Sequence, residues 1–169
     1  MATLLTACDN DGDKTVKVVE ETPHSPFIQI GEQVVVNDVA KFSIINNTLG
    51  KESIPTNSEQ GSRLHSDNYL LLDTWLSLEN ISTVDKSADQ FFSDIKYVHD
   101  NRFEYGVDGV SIEKFKGTQF DDNLERIIEP SQTEVFHFTS IVPAELENDQ
   151  KPLKLIFTLD GQQYEQQIR

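Results

Sequence analysis

Tyr69-Leu70-Leu71-Leu72-Asp73-Thr74-Trp75-Leu76-Ser77-Leu78 decides the fold class of this chain. Successive side chains of an extended strand point to opposite faces. Leu70, Leu72, Leu76 and Leu78 therefore share one face with Thr74, and Tyr69, Leu71, Asp73, Trp75 and Ser77 share the other. Four leucines in step at period two predict a strand whose leucine face lies in a core.

The same period runs outward in both directions. Residues 39–45 alternate and end in Asn46-Asn47, while residues 133–142 place Phe136, Phe138 and Val142 on one face. Leu153, Leu155, Phe157 and Leu159 run into Asp160-Gly161, a hairpin signal, and Tyr164 and Ile168 face alike on the return strand. Residues 102–115 read as a second hairpin around Asp108-Gly109, and only residues 121–129 hint at a short helix. About six to eight short strands without a long helix predict an all-β protein, a β-sandwich.

Composition bounds what such a sandwich does. The 169 residues fit one domain and a tail, and 37% hydrophobic residues with ten Phe suffice for a core without metal or disulfide. Twenty-nine acids against fourteen bases give a formal charge of -15. Such a field repels nucleic-acid phosphates and anionic headgroups, so no nucleic-acid partner is expected. It keeps a chain soluble and monomeric, with recruitment of a cation or basic partner as the alternative. The single cysteine excludes an internal disulfide.

That cysteine closes Leu4-Leu5-Thr6-Ala7-Cys8, which resembles a bacterial lipobox, with a polar run directly after it. The resemblance implies that residues 1–8 are the remnant of a signal peptide and that Cys8 carries a thioether-linked diacylglycerol. Residues 9–26 then read as a flexible, acidic, disordered tether, and residues 27–169 as the folded domain. The implied location is a cell membrane, lipid-anchored, facing the periplasm or the exterior. No stretch approaches the roughly 20 apolar residues of a membrane-spanning helix. Asp9, Asp11 and Asp13 sit at positions 1, 3 and 5 of a calcium-loop pattern, but Lys14 stands where the turn wants glycine. No metal and no cofactor are expected.

The domain resembles an immunoglobulin-like domain found in bacterial lipoproteins and secreted immunoprotective antigens. Gly31 with Val34-Val35-Val36 and residues 39–45 look like its opening, and residues 68–80 like its central strand, closing on Asn80. Residues 128–138 with Ile141-Val142-Pro143 resemble its penultimate strand, and residues 153–168 the final hairpin. Ser131 replaces a usual glycine, and residues 58–67 look like an inserted loop. The resemblance implies an immunoglobulin-like β-sandwich and no reaction.

Nothing in the chain spells catalysis. His24, His65, His99 and His137 lack the close spacing of metal ligands, and there is no Gly-rich phosphate loop or nucleophile elbow. His137, between Phe136 and Phe138, is expected on the solvent face of its strand. The acids Asp85, Asp89 and Asp94, and Asp121, Asp122 and Glu125, read as solvated loops. Tyr69, Leu71 and Trp75, opposite the leucines, form a candidate partner-binding patch, with cover by a neighbouring segment as the alternative. The expectation is a non-enzymatic, membrane-anchored binding or assembly module whose partner is a cell-envelope protein. The alternatives are a structural or antigen-like lipoprotein without a tight ligand and, with least support, an envelope hydrolase.

Overall fold

The computed structural model describes residues 26–114 and 116–169. Cys8, the acidic run after it and the tether up to residue 25 lie outside the described residues. In chain order the strands are β1 Phe27–Ile28, β2 Val34–Val36, β3 Ala40–Gly50, β4 Glu52–Ser53, β5 Ser62–Arg63, β6 Tyr69–Asn80, β7 Lys86–Ser87 and β8 Phe92–His99. They continue as β9 Phe103–Gly106, β10 Gly109–Lys114, β11 Gln119–Asp121, β12 Ile127–Ile128, β13 Thr133–Pro143, β14 Leu153–Leu159 and β15 Gln162–Gln167.

One sheet has six strands in the order β11-β10-β13-β6-β3-β2, and the other five in the order β1-β15-β14-β8-β9. Lettering β3, β6, β8, β9, β10, β13, β14 and β15 as A, B, C, C′, D, E, F and G gives A-B-E-D against C′-C-F-G. This is the immunoglobulin-like strand order. The quoted stretch is β6, at the centre of the larger sheet between β13 and β3. Leu70, Leu72, Leu76 and Leu78 are all buried, as the alternation demands. They pack against Phe42, Phe136, Phe138, Phe157 and Tyr164 from both sheets. Phe157 meets Phe42 edge-on at 5.5 Å and Phe92 at 5.9 Å, the offset arrangement aromatic quadrupoles prefer.

Thr74, alone among the leucines, is fully buried and hydrogen-bonded. Its hydroxyl donates to Asn47 Oδ1 at 2.6 Å and accepts from Tyr97 Oη at 3.0 Å. Burial pushes the Tyr97 phenol far above its usual value, the hydrogen bond to Thr74 only partly opposing it. A raised phenol contributes stability that is fully present below its unfolded value of about 10 and is lost as pH climbs from there toward the higher folded value. Wild-type stability in urea melts is therefore expected to fall steeply above about pH 10, and Tyr97→Phe to flatten that limb. An unchanged limb in Tyr97→Phe would assign the alkaline loss to other groups.

Two expectations are corrected. Residues 102–115 do not form a hairpin, because β9 and β10 belong to different sheets. Neither Asp108 nor Gly109 takes the positive φ that a tight hairpin turn requires. The Asp108 carboxylate instead accepts from the Ile141 amide at 2.7 Å, holding the chain as it crosses between sheets. Asp160-Gly161, at φ 49 and 76, does make the expected turn between β14 and β15. Residues 121–129 are not a helix either. The Asn123 amide donates to Asp121 Oδ1 and the Glu125 amide to Asn123 Oδ1, side-chain turns that compete with helical bonding. Ile127 and Ile128 then pair with β7.

β1 runs parallel to β15, with Phe27 beside Glu165 and Ile28 beside Gln166. Pro26 thus lies toward the Asp160-Gly161 turn, whereas Arg169 sits at the other end, its guanidinium bonded to the Leu146 and Lys151 carbonyls.

Candidate functional site

On the outer face of the six-stranded sheet, the polar half of β6 meets β13 and β10. Trp75 pairs with His137, Asp73 with Thr139, and Ser111 with His137. All of these are on the non-leucine face, yet the structure does not leave that face bare. β3 carries a bulge between Ile44 and Asn46, and the chain beyond Gly50 turns back over the sheet. Residues 51–58 lie across it as a strap.

The strap is fastened at three points. The Thr56 amide and hydroxyl both donate to the Glu113 carboxylate at 2.6 Å. The Asn57 amide donates to the Gly117 carbonyl at 2.8 Å and its side chain to the Lys116 carbonyl at 2.6 Å. Ser53 Oγ lies 3.0 Å from His137 Nε2. Gly117 takes φ +81, and an added Cβ there would stand 2.4 Å from Thr56 Oγ1. Only glycine combines that backbone angle with so close a strap.

Beneath the strap the His137 ring is held between Phe120, stacked at 4.4 Å, and Trp75 at 4.7 Å. Its Nε2 is 2.8 Å from Asp73 Oδ1, which also accepts from the Thr139 hydroxyl at 2.7 Å. A carboxylate oxygen accepts here, so the imidazole donates to Asp73 through Nε2. Ser111 Oγ stands at the other ring nitrogen, Nδ1, at 3.2 Å. Asp73 is 0% exposed and His137 4%.

The set contains serine, histidine and aspartate, the residue types of nucleophilic hydrolases, but arranged otherwise. In the catalytic triad the aspartate orients Nδ1 and the serine meets Nε2. Here aspartate and Ser53 both stand at Nε2, and Ser111 stands at Nδ1. Ser53, Ser111 and His137 are all buried, and none lines either of the two larger cavities on this face. The network ties three strands and the strap together.

Of the three residues of the expected partner patch, only one is open to solvent. Trp75 is 4% exposed and Leu71 7%, while Tyr69 remains open at 48%. The strap and Phe120 cover what strand alternation alone leaves facing water. Ile141, directly across from Leu71, joins Tyr69 as an exposed apolar residue. His137, expected in solvent, is buried by the same cover. Asp73, Glu113, Ser53 and Ser111 were not singled out from sequence; the one local signal was an aspartate inside a leucine-rich strand.

Two open cavities flank the strap. One of about 850 Å³ mixes Lys114, Lys116 and Arg126 with Glu113, Asp121 and Glu134. Its charges are largely spent on one another: Lys114 pairs with Asp121, and Arg126 with Glu134 at 2.8 Å. The hydrogen bond from Lys114 holds the Asp121 carboxyl below its usual value. The second cavity, about 630 Å³, has Trp75 in its floor and Ile45, Leu49, Ile54 and Pro55 among its walls. Among the described residues no group of three or more His, Cys, Asp or Glu is placed to hold a metal ion. No helix among them is long and apolar enough to cross a membrane.

No known protein-family pattern matches this chain, and no curated protein sequence does. Two solved structures are similar. An uncharacterized β-sandwich protein from Clostridium difficile 630 superposes with a TM-score of 0.76 at 19% identity, covering 89% of this chain and 98% of that one. A conserved hypothetical protein from Bacillus anthracis does so with a TM-score of 0.58 at 9% identity, covering 84% of this chain and 95% of its own. At these identities the likeness is one of architecture: the β-sandwich is common to this chain and two bacterial proteins.

Proposed function

We propose that the chain is a lipid-anchored envelope protein whose sandwich serves as a non-catalytic protein-binding or assembly module. The observation that carries the binding half is the division of labour on the outer face. The Ser–His–Asp groups are closed off and occupied in fastening the strap, while the open feature beside them is a cavity over Trp75 that mixes apolar walls with polar residues. Pockets of about 300–1,000 Å³ with apolar walls and few polar groups suit binding. The anchoring half rests on Leu5-Thr6-Ala7-Cys8 and the polar run that follows. The resemblance to lipoprotein and antigen domains agrees with both.

The test labels cells expressing the chain behind a lipoprotein leader with an alkyne fatty acid. Label on Cys8 and recovery in the membrane fraction are expected, both lost in Cys8→Ser. An unlabelled, soluble wild type ends the anchoring half. A fluorophosphonate probe is expected to leave the purified domain unmodified. Labelling of Ser53 or Ser111 that disappears in His137→Ala would overturn the non-catalytic half.

A further inference from the structure

β2 pairs with β3 only along residues 40–42, and the Gly31 amide reaches the Ile44 carbonyl. From Ile45 to the end of β3 the strand bonds to β6 on one side. Among the described residues no backbone hydrogen bond reaches its other side. An antiparallel strand sends alternate amide and carbonyl groups each way, so residues 45–50 present a row of unpaired groups. That row is also one wall of the 630 Å³ cavity, which Ile45, Asn46, Thr48, Leu49 and Gly50 all line. In its floor Trp75 is nearly buried, and its indole N–H has no acceptor among the described residues. A buried indole N–H ordinarily finds one.

We propose that this edge is a peptide-binding site, which adds an extended peptide strand beside residues 45–50 of β3. The inference rests on the binding-module reading above and names its ligand class. A row of backbone groups at strand spacing is matched by another backbone, which supplies the hydrogen bonds. Side chains alternate along the added strand, so one apolar residue enters the cavity between Ile54, Pro55 and Trp75. The formal charge of -15 selects a peptide with basic flanks.

Trp75 is the only tryptophan of the chain, so its emission reports on the cavity floor directly. Three probes are titrated into the protein: the capped hexapeptide Lys-Thr-Val-Thr-Val-Lys, the same peptide N-methylated at alternate residues, and a version with Glu at both ends. The Lys-ended peptide is expected to give a saturable emission shift with matching calorimetric heat. N-methylation, which removes the backbone donors of one edge, is expected to weaken binding about tenfold. Glu ends weaken it further at low salt, and Ile54→Ser lowers affinity without moving the melting temperature. No saturable shift with the Lys-ended peptide, or equal binding of the N-methylated one, overturns the proposal. So does a dimer in sedimentation velocity that buries this edge and ignores the peptide. Acylation of Cys8 and the fluorophosphonate result read the module itself, so failure here is distinguishable from failure there.

Discussion

Trp75→Ala is expected to lower folding stability by about 3–5 kcal/mol, the cost of deleting a buried large aromatic and leaving a cavity. Alternation alone places Trp75 on a wet face, where its loss is cheap. The structure instead buries it against His137 and under residues 51–58. Truncation removes one of the two rings that hold the imidazole and opens the polar network to water. Leu76→Ala, on the opposite face of the same strand, is expected to cost about 2–5 kcal/mol. Urea melts of the two variants should therefore give similar losses. A loss near 1 kcal/mol for Trp75→Ala alone, typical of exposed positions, would mean that the strap does not close over this face in solution.

Asp73→Ala is expected to cost about as much, roughly 3–5 kcal/mol, because it leaves the buried partners of a carboxylate without an acceptor. Those partners are His137 Nε2–H and the Thr139 hydroxyl, with Ser53 and the strap attached through the same imidazole nitrogen. The diagnostic is a double-mutant cycle. Asp73→Leu combined with His137→Phe removes both polar partners, and an apolar pair of similar shape costs less than one orphaned group. The double variant is expected to be more stable than the sum of the singles by at least about 1 kcal/mol. Strict additivity would show that aspartate and histidine do not act as a unit.

The leucine face of β6 was legible because four residues at strict alternation leave no other face for the core. The final hairpin was legible because Asp160-Gly161 takes the left-handed geometry its residues favour. The same dipeptide at 108–109 misled, since a tertiary bond from Asp108 to the Ile141 amide decides the path there. The short helix foreseen at 121–129 failed for a related reason, side chains of Asp121 and Asn123 capturing the backbone locally. The site was less legible still. Asp73, Ser111 and His137 stand on three separate strands, and their meeting depends on a register in which Trp75 and Ser111 both lie opposite His137. Pairing register is a property of the assembled sheet. The strap is also invisible to alternation, since it is held by Thr56 and Asn57, residues with no periodic pattern.

The parallel pairing of β1 with β15 has a mechanical consequence. Tension applied between the segment before Pro26 and the Arg169 end draws the two strands in opposite directions along a common axis. The bonds between them, including the Glu165 amide to the Pro26 carbonyl at 3.2 Å, are then strained together rather than peeled in sequence. Arg169, clamped to the Leu146 and Lys151 carbonyls, passes the load into the opposite end of the sandwich. A pull from one tip of the β3–β6 ladder opens it bond by bond, whereas a pull along the chain ends meets resistance from every β1–β15 contact at once.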